Sequence, residues 1–194
     1  MNILVIVAHP DDETFAMGGT LAQHAHAGDR VTVVTCTDGV SSRGRNPAAA
    51  RARATHFQTA CAALGVGGCH MRAVFEDQRS DQVPQLVLNQ AVAAFVDRPD
   101  RVYTHDPCDL NLDHRRVAEA VLVATRGVCP VWSAKPEWPD RALWPFRPTK
   151  IVDITEGLPM KQAACRAYVD EWRDPPHPRA RAMTVTEEYF IERL

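Results

Sequence analysis

The stretch Asn2-Ile3-Leu4-Val5-Ile6-Val7-Ala8-His9-Pro10-Asp11-Asp12-Glu13 decides the fold. Its first half, Ile3 to Val7, is an unbroken apolar run, the pattern of a strand buried on both faces of a parallel sheet. Its second half places an imidazole and three successive carboxylates just beyond that strand, where open α/β sheets bind their ligands. A dinucleotide-binding protein would have a glycine-rich loop here so that backbone amides could approach pyrophosphate. Asp11, Asp12 and Glu13 would repel that phosphate, and Gly18 and Gly19 come too late and lack the spacing, so a Rossmann dehydrogenase is disfavoured despite Asp38 after the second strand. A divalent cation reverses the electrostatic argument, because carboxylates beside an imidazole are what it needs.

Working outward, strand-like and helix-like segments alternate. Helix is expected from Thr14 to Ala27, ending at Gly28, and a second strand from Arg30 to Cys36 runs into Thr37-Asp38-Gly39. An arginine-rich loop (Ser41 to Asn46) precedes an alanine-rich helix from Pro47 to Leu64. A third helix is expected within Asp81 to Phe95, a strand at Arg101 to His105, and a helix from Asp113 through Ala124. Strands at Pro130 to Ser133 and Lys150 to Ile154 and a helix near Glu156 to Trp172 complete the unit, with a long surface loop between Lys135 and Pro148. The alternation predicts an α/β fold, a Rossmann-like mostly parallel sheet with helices on both faces. At 194 residues the chain fits one domain, 1–194.

Apolar residues make up 45% and charged residues 24%, as in a compact globular protein. The formal charge of −2 provides no basic field, so nucleic acid is not an expected partner. No apolar run nears the roughly 18 residues that span a bilayer, and no secretory signal precedes the first strand. A cytoplasmic protein without membrane insertion is expected, with a homo-oligomer left open. The cysteines Cys36, Cys61, Cys69, Cys108, Cys129 and Cys165 include no C-x-x-C pair and read as free thiols.

A second chemistry-bearing turn, Asp109-Leu110-Asn111-Leu112-Asp113-His114-Arg115, also lies beyond a strand and opens a helix. In a parallel sheet its side chains can converge on the end of the first strand. His9, Asp12 and His114 would then supply two imidazoles and a carboxylate, leaving positions for water and substrate, as catalytic zinc sites do. Against this stand plainer readings: Asp11 to Glu13 as a helix cap, and His114 as a surface residue at a helix start.

Ala8-His9-Pro10-Asp11-Asp12-Glu13 resembles the opening motif of the PIG-L/LmbE-like N-deacetylases, and Thr37-Asp38-Gly39 is similar to their second-strand ending. Asp77-Gln78-Arg79, the Asp109 to Arg115 turn, Lys161, Tyr168 and Pro176-His177-Pro178-Arg179 extend the resemblance to a bacterial branch linked to surface-glycan or amino-sugar metabolism. The resemblance implies a Rossmann-like sheet, zinc (Zn2+, in some members Fe2+), and hydrolysis of an N-acetyl group from a sugar. It implies His9, Asp12 and His114 as ligands and Asp11 as general base. Three departures stand out: Asn111 where many relatives have histidine, His56 where the motif R-x-x-E beginning at Arg53 has its acid, and a shortened segment before Glu188-Tyr189-Phe190.

Amide hydrolysis needs an activated water, an electrophile for the carbonyl oxygen and a proton for the leaving nitrogen; one metal supplies the first two. Asp11 is the candidate to move the proton. Asn111 can donate to an oxyanion but cannot act as an acid, and Asp113 is a candidate to orient His114 or Asn111. Asp38, Arg43 and Arg53 are candidate substrate-binding residues, with Arg43, Arg45 and Arg53 placed to recognise phosphate on a nucleotide-linked or lipid-linked sugar, and His105 and His177 as extra donors that also read as structural or rim histidines. Trp138, Trp144 and Tyr168 are candidates to stack on a sugar or to pack in the core. The rival readings are an Fe(II) facial-triad oxygenase, a class that usually presents its ligands from a β-sandwich, and an inactive metal-containing sugar-binding module, which would have no use for Asp11.

Overall fold

A computed structural model describes residues 1–136, 145–170 and 184–192. The strands are β1 (Asn2–Val7), β2 (Arg30–Thr35), β3 (Gly68–Met71), β4 (Arg101–His105), β5 (Val131–Ala134), β6 (Lys150–Asp153) and β7 (Thr186–Glu192). They form one sheet in the order β3-β2-β1-β4-β5-β7-β6. β3, β2, β1, β4 and β5 pair in parallel, and β7 runs antiparallel between β5 and β6. The helices are α1 (Asp12–His26), α2 (Pro47–Ala63), α3 (Gln85–Ala93), α4 (Leu112–Ala124) and α5 (Leu158–Ala167).

The apolar run of β1 serves two cores because alternate side chains leave opposite faces of a strand. Ile3, Val5 and Val7 pack with Met17 and Leu21 of α1, Phe57 and Leu64 around α2, and Ala164 of α5. Leu4, Ile6 and Ala8 pack with Leu88 and Val92 of α3 and Val117 and Val121 of α4. The expectation of helices on both faces of a mostly parallel sheet is met.

Local chemistry sets the helix ends. Asn46 Oδ1 accepts from the amides of Ala48 and Ala49 ahead of α2, whose first residue is Pro47. Gly28, at φ 82°, takes the left-handed turn after α1. Gly19 allows a close approach inside α1: a Cβ there would lie 2.4 Å from Ile154 Cδ1, and one on Gly157 would lie 2.3 Å from the Gly19 carbonyl oxygen.

Two strands escaped the sequence reading. β3 is Gly-Cys-His-Met, without a β-branched residue, and β7 carries three glutamates in seven residues. α5 is shorter than expected, with Pro159 in its first turn and an end at Ala167. Trp138, Trp144 and His177 lie outside the described residues. Among the described residues, no helix is long and apolar enough to cross a membrane, and all six cysteines are free.

Topology positions the site. From β1 the chain moves through β2 to β3 on one side, then returns to place β4 on the other side of β1. The reversal falls at the carboxyl ends of β1 and β4, the place where open α/β sheets bind their ligands, and His9 and His105 lie there.

Candidate metal centre

His9 follows β1, Asp12 begins α1, and His114 stands in the first turn of α4. All three are buried, and their ligand atoms lie within 4.8 Å of one another. His9 Nδ1 is 3.2 Å from His114 Nε2 and 3.2 Å from Asp12 Oδ2, and His114 Nε2 is 3.4 Å from Asp12 Oδ1. Ligands held at 2.0–2.1 Å by a tetrahedral zinc are separated by about 3.4 Å. The donor triangle therefore has the dimensions of one face of such a site.

The outer nitrogens of both rings explain why the inner ones face each other. His9 Nε2 lies 3.1 Å from Asp77 Oδ1 and 3.2 Å from Asp113 Oδ2. His114 Nδ1 lies 2.9 Å from Asp109 Oδ2. A carboxylate fixes the ring N–H on its own side, so each inner nitrogen presents a lone pair. Two lone pairs 3.2 Å apart in a buried site repel unless a proton or a metal ion lies between them. The remaining groups of possible ligands among the described residues, His9–Asp77–Asp113 and His105–Asp109–His114, each share a ring with this centre and include its backing.

Charge tells the same story. Burial works against ionisation of His9, but hydrogen bonds to Asp113, Asp12 and Asp77 outweigh it and hold the imidazole well above its usual range. Burial likewise opposes the charge on Asp12, yet His114, His105 and His9 hold that carboxyl well below the usual carboxylate range. Asp77, Asp109 and Asp113 are also lowered against burial, mainly by their histidine partners. The pocket is thus built around a positive charge, which a proton supplies when no metal does.

Asp11 immediately precedes Asp12 of the ligand triangle in sequence. It adopts φ 122°, a conformation that side chains avoid, and its side chain makes no capping hydrogen bond to α1. Its carboxylate instead accepts from Arg53 Nη1 at 2.9 Å, and its amide donates to Glu13 Oε2 at 3.0 Å. Strain of this kind, held by the surroundings, is characteristic of functional positions.

Other candidates stand differently from the sequence reading. The Asp113 carboxylate faces His9 and accepts from the amides of Gln78 and Ser80; the residue that orients His114 is Asp109. Asp113 is thus a support for a ligand. Asn111 Oδ1 accepts from the amide of Asp113 and caps α4, leaving its amide N–H group as the part able to donate. Arg53, expected to bind substrate, is 1% exposed and bonds Pro10 O, Asp11 and Asp170, so it faces the protein. His105, expected as a donor, stacks on His114 at 3.9 Å and its Nε2 accepts from the Ala8 amide, so that nitrogen has no proton to give. Burial accordingly pulls His105 well below its usual range.

Asp38 Oδ1 accepts from the amides of Val40 and Ser41, shaping the 3-10 turn Ser41–Arg43. Arg43 is exposed in that turn, and Arg45 is paired with Glu76. Tyr168 is fully buried and donates to Glu13 Oε1 at 2.7 Å, which favours the packing role over sugar stacking.

An α/β sheet with two imidazoles and a carboxylate converging at its switch point, and three further carboxylates on the outer ring nitrogens, defines a candidate metal-site protein of Rossmann-like architecture. Residues 4–125 match the PIG-L family profile, described as GlcNAc-PI de-N-acetylase, and the chain belongs to that family. It is 28% identical to the 1D-myo-inositol 2-acetamido-2-deoxy-alpha-D-glucopyranoside deacetylase 1 of Saccharopolyspora erythraea, over 86% of this chain and 76% of that protein. Among solved structures, the N,N'-diacetylchitobiose deacetylase of Pyrococcus horikoshii superposes with a TM-score of 0.72 at 21% identity, over 98% of this chain and 83% of that one. The 4-carboxy-2-hydroxymuconate hydratase of Pseudomonas putida superposes with a TM-score of 0.78 at 20% identity, over 100% and 98%.

Proposed function

We propose that this chain is a zinc-dependent hydrolase that removes an N-acetyl group from an amino sugar or a sugar-containing metabolite. The observation that carries the reading is the pair of imidazole nitrogens facing each other at 3.2 Å, closed into a triangle by Asp12. Family membership and the deacetylase named for the Saccharopolyspora relative support the reaction. Two imidazoles and a carboxylate suit zinc, with Fe2+ second.

His9, Asp12 and His114 would hold a divalent metal, which would supply Lewis acidity toward water and the amide carbonyl. The chain's residues do the rest. Asp109 and the pair Asp77 and Asp113 keep the two ligand rings in the tautomer that presents a lone pair inward. Asp11 accepts a proton from the attacking water and returns it to the departing nitrogen, so that a C–O bond forms, the C–N bond breaks, and acetate and a free amine leave. Asn111 offers only an N–H donor to a substrate oxygen. A nucleotide-linked or lipid-linked amino sugar is the substrate class to which Arg43 and Arg45 in the loop after β2 are suited.

The fold is shared with a hydratase, so product analysis has to decide the reaction. Metal-loaded protein is screened against N-acetylated sugars, free, nucleotide-linked and lipid-linked, with acetate and amine both quantified. Equal release of the two from at least one substrate, lost together with metal content in His114→Ala, is the expected result. Failure to release acetate from the whole panel by fully metal-loaded protein rejects the proposal.

A further inference from the structure

The acid at Asp11 belongs to a closed circuit of contacts from elements far apart in sequence. Arg53 of α2 places Nη1 2.9 Å from Asp11 Oδ2 and 3.1 Å from Pro10 O, so one nitrogen grips both the carboxylate and the backbone before it. Its Nη2 lies 3.0 Å from Asp170 Oδ2, three residues beyond the end of α5. The other oxygen, Asp170 Oδ1, lies 2.8 Å from His56 Nδ1, one turn along α2 from Arg53. The His56 ring meets Tyr168 edge-on at 6.5 Å; Tyr168 bonds Glu13 Oε1, and Glu13 Oε2 accepts the amide of Asp11.

We infer that Asp170 is a positioning residue for Asp11, acting through Arg53. The inference rests on the proposed role of Asp11 as base. A guanidinium is planar, so fixing one Nη fixes the direction of the other. Asp11 sits at φ 122° without a side-chain capping bond to α1, and Arg53 Nη1 ties its carboxylate to its own backbone turn. Asp170 fixes the opposite edge of the guanidinium, and without it that edge of a buried charge loses its carboxylate and the group can swing about Asp11. Asp170 is 38% exposed in its side chain, so the group itself is no part of the core.

The geometry also supplies a rescue. His56 is at i+3 from Arg53, where side chains on a helix are neighbours, and it already touches Asp170. A carboxylate at position 56 can therefore take over the far edge of Arg53 when Asp170 is removed. A purely structural role for Asp170 would not be restored by a charge on a different element.

The test compares metal-loaded Asp11→Asn, Asp170→Asn, Asp170→Glu and the double variant Asp170→Asn with His56→Glu. Asp170→Asn should lower kcat about ten- to a hundredfold, the scale of a misplaced reacting group, with KM within about twofold and metal content unchanged. Asp170→Glu should stay within about threefold of the parent, and the double variant should recover most of the lost kcat. With Asp11→Asn inactive, an Asp170→Asn enzyme of full kcat, or a loss that the double variant does not recover, overturns the inference and leaves the base in place. Full turnover by Asp11→Asn overturns the base and this inference with it. Should Asp170→Asn not fold, Asp170→Glu and the double variant carry the same comparison, and a double variant that folds with kcat as low as Asp11→Asn refutes it.

Discussion

Replacing Asp109 with asparagine should damage the metal centre more than either comparable change behind His9. Asp109 Oδ2 lies 2.9 Å from His114 Nδ1, while Oδ1 accepts the amide of Asn111 at 2.9 Å. Asparagine can keep the bond to the Asn111 amide through its carbonyl oxygen, but it then turns an NH2 toward His114 Nδ1. That donor favours the tautomer with the proton on Nε2, the nitrogen that faces His9 and Asp12. Loss of such a supporting carboxylate typically costs 10–100-fold in metal affinity, or about 1.4–2.7 kcal/mol. His9 Nε2 has two carboxylates within 3.2 Å, so Asp77→Asn leaves Asp113 in place and should cost less than about tenfold. Asp113→Asn should fall between, because that carboxylate also anchors the amides of Gln78 and Ser80. Competition with a fluorescent zinc chelator gives the three affinities directly. If Asp109→Asn binds zinc within about twofold of the parent chain, or if Asp77→Asn is the weakest binder, the tautomer argument is wrong.

Metal-replete Asp11→Asn should keep its metal and lose roughly a hundredfold or more in turnover, whereas Asp12→Asn should lose metal and be partly recovered by excess zinc; the opposite pattern in metal analysis and kinetics exchanges their roles. Because His9 is held above its ordinary range in the metal-free protein, its contribution to stability is complete below about pH 6.5 and is lost as pH rises through its folded value. Thermal melts of metal-free protein should therefore fall over that upward range and flatten with zinc bound, and a metal-free profile that stays level would contradict the charge balance described for the pocket. Gly19→Ala should destabilise by about 1–3 kcal/mol in urea titration, because its Cβ would sit 2.4 Å from Ile154 Cδ1; an unchanged midpoint would mean that α1 and Ile154 separate freely. Arg43→Ala and Arg45→Ala should raise KM for a phosphate-bearing amino sugar more than for the plain sugar, and equal KM values across both substrates remove phosphate recognition from that loop.

The central half of the sheet was legible because its physics is local. Ile3 to Val7 reads as doubly buried on composition alone, and Arg101 to His105 coincides with β4. β3 was illegible because pairing, rather than intrinsic preference, makes Gly68–Met71 an edge strand, and β7 because one of its two buried positions is Glu187, which breaks the apolar alternation that Thr186, Tyr189, Phe190 and Ile191 would otherwise suggest. The ligand triangle could be read from two turns that follow strands. Its supports could not, since nothing in the spacing says that Asp113 turns toward His9 while Asp109, five residues before His114, turns back to it. The partners of Arg53 were illegible for a related reason: its place in the chain associates it with Asp38 and the arginine-rich loop, and only the fold brings Asp11 and Asp170 to its two terminal nitrogens.

The antiparallel β7 has a consequence for the order in which the molecule can assemble. β6 has β7 as its partner in the sheet, and β5 gains its second neighbour only through β7. Glu187 of β7 also reaches across to α1, accepting the amides of Gly19 and Thr20 and pairing with Lys161 of α5 at 2.6 Å. During synthesis the strands from β1 to β5 emerge and can pair while β6 is still without its partner. The clamp on the helix that begins with Asp12 forms only when β7 arrives. Docking of β7 thereby completes the hold on α1, and a ribosome-bound chain halted before residue 186 would present His9, Asp12 and His114 with that helix held on the sheet by its apolar packing alone.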